Sequence, residues 1–179
     1  MNQTILIGHI ALIQASKKQD FTLDVIKAIR DRGYDAVGVF AGECREREYM
    51  ALLEQKVKEL GLDNQVAFLG RRNDIPDLLK LIDVLMIPSS FEGFPLAGLE
   101  AAAAGVPVAA CNVAGAKEFV EVSRAGKTIL EDDSQQAADA ILEVVRRKDE
   151  IRRNGQKFAN RMTPGAYRVL IARQFQLCL

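Results

Sequence analysis

Long hydrophobic runs, an excess of one charge, paired cysteines and a second histidine are all missing from these 179 residues. The longest apolar stretch, Ala101 to Cys111, is too short to span a bilayer and is broken by Gly105 and Pro107. Twenty-four basic residues balance twenty-four acidic ones, so no net field draws the chain to nucleic acid or an anionic membrane. Cys44, Cys111 and Cys178 are odd in number and widely spaced, without the short pairings that hold zinc. They read as reduced thiols of a cytoplasmic protein, and no metal site is expected. Met1 to Thr4 lacks the cationic start of a signal peptide. Repeats, low-complexity segments and linkers are absent too. What remains is globular in composition, 27% charged and 49% hydrophobic, in a length that suits one domain over residues 1–179.

The chain enters directly on TILIGHIALI, a β-branched run typical of a buried strand. Asp20 is a plausible N-cap for FTLDVIKAIRDRG, in which Phe21, Val25 and Ile29 recur at helical spacing and Gly33 supplies the stop. A strand is predicted at YDAVGVFAG, then a helix over 43–60 with Tyr49, Leu52, Leu53, Val57 and Leu60 on one stripe. Strands at VAFLG, DVLMIPSS, VPVAAC and KTIL alternate with helices at IPDLLKLI, around Glu100 and at AKEFVE, and helices finish the chain from Ser134. Such alternation means βαβ crossovers. The fold class is α/β, a Rossmann-like parallel sheet with helices on both faces and extra C-terminal helices. Ligands of such sheets sit beyond the carboxyl ends of the strands, where the order reverses. The loops after ILIGH, VFAG, AFLG and LMIPSS all project to that edge.

Chemistry concentrates in residues 88–111, PSSFEGFPLAGLEAAAAGVPVAAC. LAGLEAAAA is apolar on every helical face except at Glu100, which predicts a buried helix with one carboxylate that needs a partner. Pro95 suits a first helical position, and the free N–H groups of a helix start form a natural seat for phosphate. Gly93 permits close approach of the backbone. Glu92 and Glu100 would flank a bound diphosphate, each accepting from a sugar diol. On the residues alone, Glu92 also reads as a solvated loop carboxylate, and Glu100 as a partially exposed position facing a lysine or arginine.

Residues 88–120, PSSFEGFPLAGLEAAAAGVPVAACNVAGAKEFV, resemble the signature of family 4 glycosyltransferases in their C-terminal, nucleotide-sugar-binding half. VKELGLDNQVAFLGRRNDIPDLLKLIDVLMIPS and IGHIALIQASKKQDF extend the resemblance over essentially the whole chain. It implies one half of a GT-B fold, with the N-terminal acceptor domain absent from this chain, and transfer that retains anomeric configuration without metal or cofactor. Lys17 then neutralises the donor diphosphate, Glu100 accepts from the ribose, and Glu92 takes the catalytic place beside the transferred hexose. Gly93, Phe94, Pro95 and Leu96 line sugar and phosphate through their backbone, and Arg71 cradles the nucleobase. The donor is a nucleotide diphosphate sugar, UDP-linked first and GDP- or ADP-linked as alternatives. The acceptor is a glycan or a lipid-linked sugar, which would bring the full enzyme to the inner face of a membrane. By itself this chain should bind nucleoside diphosphate weakly and transfer nothing.

The departures from the family pattern matter. Ala11 and Leu12 stand where the family has Gly-Arg, which removes a charge-assisted phosphate contact worth about 1.5–3 kcal/mol. Lys18 is the nearest substitute. Pro95 replaces a frequent glycine, and Lys117 a frequent proline. The Leu12 departure supports an alternative, a non-catalytic nucleotide-sugar-binding or regulatory module; FEGF…LE argues against an epimerase or hydrolase. His9 and Cys111 read as structural, CREREYMALLEQKVKE as a solvated helix face, and 163–179, with Tyr167, Leu170, Ile171 and Phe175, as an apolar face that expects a partner domain.

Overall fold

A computed structural model describes residues 4–162. Six strands, β1 (Ile5–Ile10), β2 (Ala36–Ala41), β3 (Val66–Gly70), β4 (Val84–Ile87), β5 (Val108–Cys111) and β6 (Gly126–Ile129), form one sheet in the order β3-β2-β1-β4-β5-β6. Every pairing is parallel. The connecting helices are α1 (Gln19–Asp31), α2 (Arg47–Glu59), α3 (Ile75–Leu81), α4 (Leu96–Ala104) and α5 (Ala114–Ser123), followed by α6 (Ser134–Arg146) and α7 (Lys148–Ala159). This is the Rossmann-like α/β architecture that the alternation predicts.

Burial on both sides explains why the strands read as continuous apolar runs rather than alternating ones. In β4 all four residues are buried. Val84 and Met86 join a core with Leu23, Ile26 and Ile29 of α1, Leu53 of α2 and Ile141 of α6. Leu85 and Ile87 join a second core with Leu79 of α3, Ala101 of α4 and Phe119 of α5. Each fully buried Leu or Ile contributes about 1.5–3 kcal/mol, so the sheet is held from both faces.

Several local expectations change. Asp20 does not cap α1. The helix begins two residues earlier, at Gln19, after a left-handed Lys18 (φ 52°), and Asp20 accepts a 2.6 Å hydrogen bond from the Tyr49 hydroxyl. The second helix spans 47–59 rather than 43–60, and Leu52, placed on its buried stripe by spacing, is exposed. A true cap appears at α6, where the Asp133 carboxylate accepts from Gln136 N at 2.8 Å. Cys44 and Cys111 are free thiols, the first exposed and the second buried. Burial pushes the Cys111 thiol up to about 12, so it behaves as packing. The expected apolar face over 163–179 lies outside the described residues. Among those described, no helix is long and apolar enough to cross a membrane.

Candidate donor site at the sheet switch point

The chain leaves β1 toward β2 and β3, and later returns on the other side of β1 as β4. Between the carboxyl ends of β1 and β4 the connections diverge and open a crevice. A cleft of about 210 Å³ lies there, with walls supplied by His9 to Leu12, by Met86, Ile87 and Ser89, and by Phe94 to Ala97. Its charged groups are Lys17 and Glu92, whose Nζ and Oε2 atoms lie 3.1 Å apart and partly buried.

Each of these two groups is placed by its loop. Lys17 ends a single 3-10 turn, Ala15–Lys17, and the following left-handed Lys18 swings the chain into α1. Ser90 N donates to the Ser16 carbonyl (3.0 Å), tying the loop after β4 to the one carrying Lys17. Gln19, fully buried, donates from Nε2 to the Leu12 carbonyl (2.8 Å) and so fixes the rim of the cleft. On the other side, Gly115 N donates to the Glu92 carbonyl at 3.1 Å. A Cβ on Gly115 would lie 1.9 Å from the Gly93 carbonyl oxygen, so only glycine permits this approach. Phe94 packs edge-on against Phe119 (6.0 Å between ring centroids), which in turn meets Phe158 of α7.

Pro95 is the N-cap of α4 and not its first helical residue. Its backbone (φ −78°, ψ 89°) is not helical, and its carbonyl accepts from Leu99 N at 3.0 Å. No side chain caps this helix, so the first-turn N–H groups of Leu96, Ala97 and Gly98 keep their hydrogen-bonding capacity beside the cleft.

The expectation that α4 is buried all round fails. Gly98, Ala101 and Ala102 are buried, whereas Leu96, Glu100 and Ala103 are exposed. The buried face is made of the small residues Gly98, Ala101 and Ala102, and Leu96 is left 62% exposed on the other. Glu100 therefore needs no internal cation, and it makes no hydrogen bond or ion pair with any described residue. It stands one turn beyond Leu96 on the same helix face, but is not among the residues that line the cleft.

Of the other sequence-predicted residues, Phe94, Pro95 and Leu96 line the cleft with Lys17 and Glu92. Gly93 is exposed in the loop between Glu92 and Phe94. Arg71 is exposed just after β3, two strands from β1, and outside the cleft. Lys18 does not substitute for the missing arginine. Its ammonium pairs with Glu131 in the loop after β6, and against the pull of burial that contact raises its pKa. His9, which reads as structural in the sequence, and Ser89, which no motif singles out, both line the cleft, and Gly115 holds the Glu92 loop through its backbone.

A family model described as Glycosyl transferases group 1 matches residues 4–147. The chain belongs to that family. Among the relatives of this chain is the lipopolysaccharide core biosynthesis mannosyltransferase LpsB of Rhizobium meliloti. It is 30% identical over 138 residues, which is 75% of this chain and 39% of that protein. Anabaena Alr3699/HepE, solved in complex with UDP and glucose, superposes with a TM-score of 0.85 at 27% identity, over 98% of this chain and 49% of that one. The C-terminal domain of the group 1 glycosyl transferase LpcC from Francisella tularensis superposes at 0.76, with 27% identity, over 88% of this chain and 85% of the other. The chain thus spans less than half the length of the LpsB relative.

Proposed function

We propose that this chain is the C-terminal, donor-binding half of a family 4 retaining glycosyltransferase, and that the β1–β4 cleft takes the diphosphate of a nucleotide sugar. The observation that carries this reading is the convergence of Lys17, Glu92 and the uncapped start of α4 at the switch point of the sheet. An ammonium and a helix N-terminus together suit a diphosphate, and they stabilise it further as it leaves with the bonding electrons of the sugar. Glu92 would stand beside the transferred hexose. Gly93 and Phe94 would line that sugar, Glu100 would accept from the ribose diol, and Arg71 would reach the base.

The likeness to a protein solved with UDP and glucose supports a UDP-linked donor, with GDP- and ADP-sugars as alternatives. The high coverage of a C-terminal domain solved alone supports an acceptor-binding domain elsewhere in the full enzyme. Such an enzyme would act in the cytoplasm on a glycan or lipid-linked acceptor, at the inner face of the membrane for the latter. Neither metal nor cofactor enters this scheme.

Calorimetry with UDP, GDP and ADP tests the site. Weak binding of one of them, lost in Lys17→Ala, is expected; no binding by the unaltered chain at millimolar ligand would remove the donor-site reading. A second reading, a binding module without turnover, draws on Leu12 in the arginine's place and on Lys18 held by Glu131.

A further inference from the structure

His9 is the single histidine of the chain, and it closes the wall of the cleft at the carboxyl end of β1. Only 2% of its surface is exposed. Its Nδ1 lies 2.9 Å from the Thr22 hydroxyl of α1, itself fully buried, and its ring stacks on Phe40 of β2 at 5.7 Å. These two contacts fix the ring on one side. No described residue hydrogen-bonds the other ring nitrogen, and that atom is not among the sealed, unpartnered polar atoms of the described residues, as Gln19 Oε1 is; His9 lines the cleft.

The chemistry of the ring narrows what that partner can be. Burial, and then the positive charge of Lys17, depress the His9 pKa to about 3, with Asp20 opposing, so the imidazole is neutral at physiological pH. A neutral imidazole adds no charge toward a diphosphate. With Nδ1 engaged, Nε2 is a donor in one tautomer and an acceptor in the other. A hydroxyl serves both forms, whereas a phosphate oxygen serves only one.

The geometry points to His9 as a positioning residue that hydrogen-bonds through Nε2 to a hydroxyl of the donor sugar, next to Glu92. This inference rests on the donor-site reading above and deepens it by naming a residue that reads the sugar rather than the nucleotide.

Because there is one histidine, ring-nitrogen NMR of the 179-residue chain labelled at histidine reports on this group alone. The probes are UDP, UDP-glucose, GDP and GDP-mannose. A sugar nucleotide should shift the ring-nitrogen signals while its parent nucleoside diphosphate leaves them in place. By calorimetry, His9→Leu should weaken the sugar nucleotide about three- to ten-fold, the worth of one neutral hydrogen bond. It should leave the nucleoside diphosphate unchanged, and His9→Gln should recover part of the loss. Ring signals unmoved by a sugar nucleotide that calorimetry shows to be bound would overturn the inference while sparing the donor site. So would an equal response to the nucleoside diphosphate. Absence of binding by all four probes would overturn the donor-site reading, and this inference with it.

Discussion

Lys17 and Glu92 neutralise each other across 3.1 Å, which leaves the cleft with no net charge before an anion arrives. A diphosphate must therefore share Lys17 with a carboxylate, and a guanidinium beside it would relieve that competition. Leu12 lines the cleft and is partly exposed, so a longer side chain has room there. Leu12→Arg should raise nucleoside diphosphate affinity about ten- to a hundred-fold in calorimetry; an unchanged affinity would show that phosphate does not bind beside this loop. His9 makes a second prediction at the same scale. Its folded pKa of about 3 lies below its ordinary 6.5, so below pH 6.5 the unfolded chain takes up a proton that the folded one refuses. Stability from this residue is complete above 6.5 and declines as pH falls toward 3, by about 1.4 kcal/mol per pH unit. Urea midpoints between pH 7 and 5, above most carboxylate titration, should show that slope, and His9→Gln should flatten it.

Elements set these residues at their stations through backbone contacts that side-chain chemistry does not advertise. The first turn of α5 touches the Glu92–Gly93 backbone through Gly115, and a Cβ there would collide with the Gly93 carbonyl. Gly115→Ala should displace the Glu92 loop and lower nucleotide affinity at least ten-fold, while far-ultraviolet circular dichroism stays as in the unaltered chain. An unchanged affinity would mean that the loop is not held from α5. Helix α4 carries a related lesson. Its sequence shows no polar face, yet one side lies at the surface, with Leu96, Glu100 and Ala103 exposed, while its buried side is fixed by Gly98 meeting Phe119 and Ile87. Pattern alone could not separate this arrangement from full burial, and Glu100 was accordingly expected inside.

At the scale of the molecule, one sheet is shared by two apolar cores, joined through Val113. Leu23 belongs to one and Leu85 to the other, and both are fully buried. Leu23→Ala and Leu85→Ala should each cost about 2–5 kcal/mol. Unfolding in urea should remain a single transition in both, since neither core persists without the strands between them. Two separated transitions in either variant would show that the layers unfold independently.

The alternation of strand and helix runs made the parallel sheet legible, because apolar strand runs between amphipathic helices fit no other common arrangement. FEGF, the two glutamates and the lysine of the first loop made the family resemblance legible in the same way. These are local properties, written in neighbouring residues. The tertiary structure decided what depends on distant contacts: that Lys17 meets Glu92 seventy-five positions away, that Lys18 turns instead to Glu131, and that His9 faces the cleft. The direction of a side chain is set by what packs behind it, by Thr22 and Phe40 for His9 and by the left-handed backbone for Lys18. No periodicity in the chain records that information.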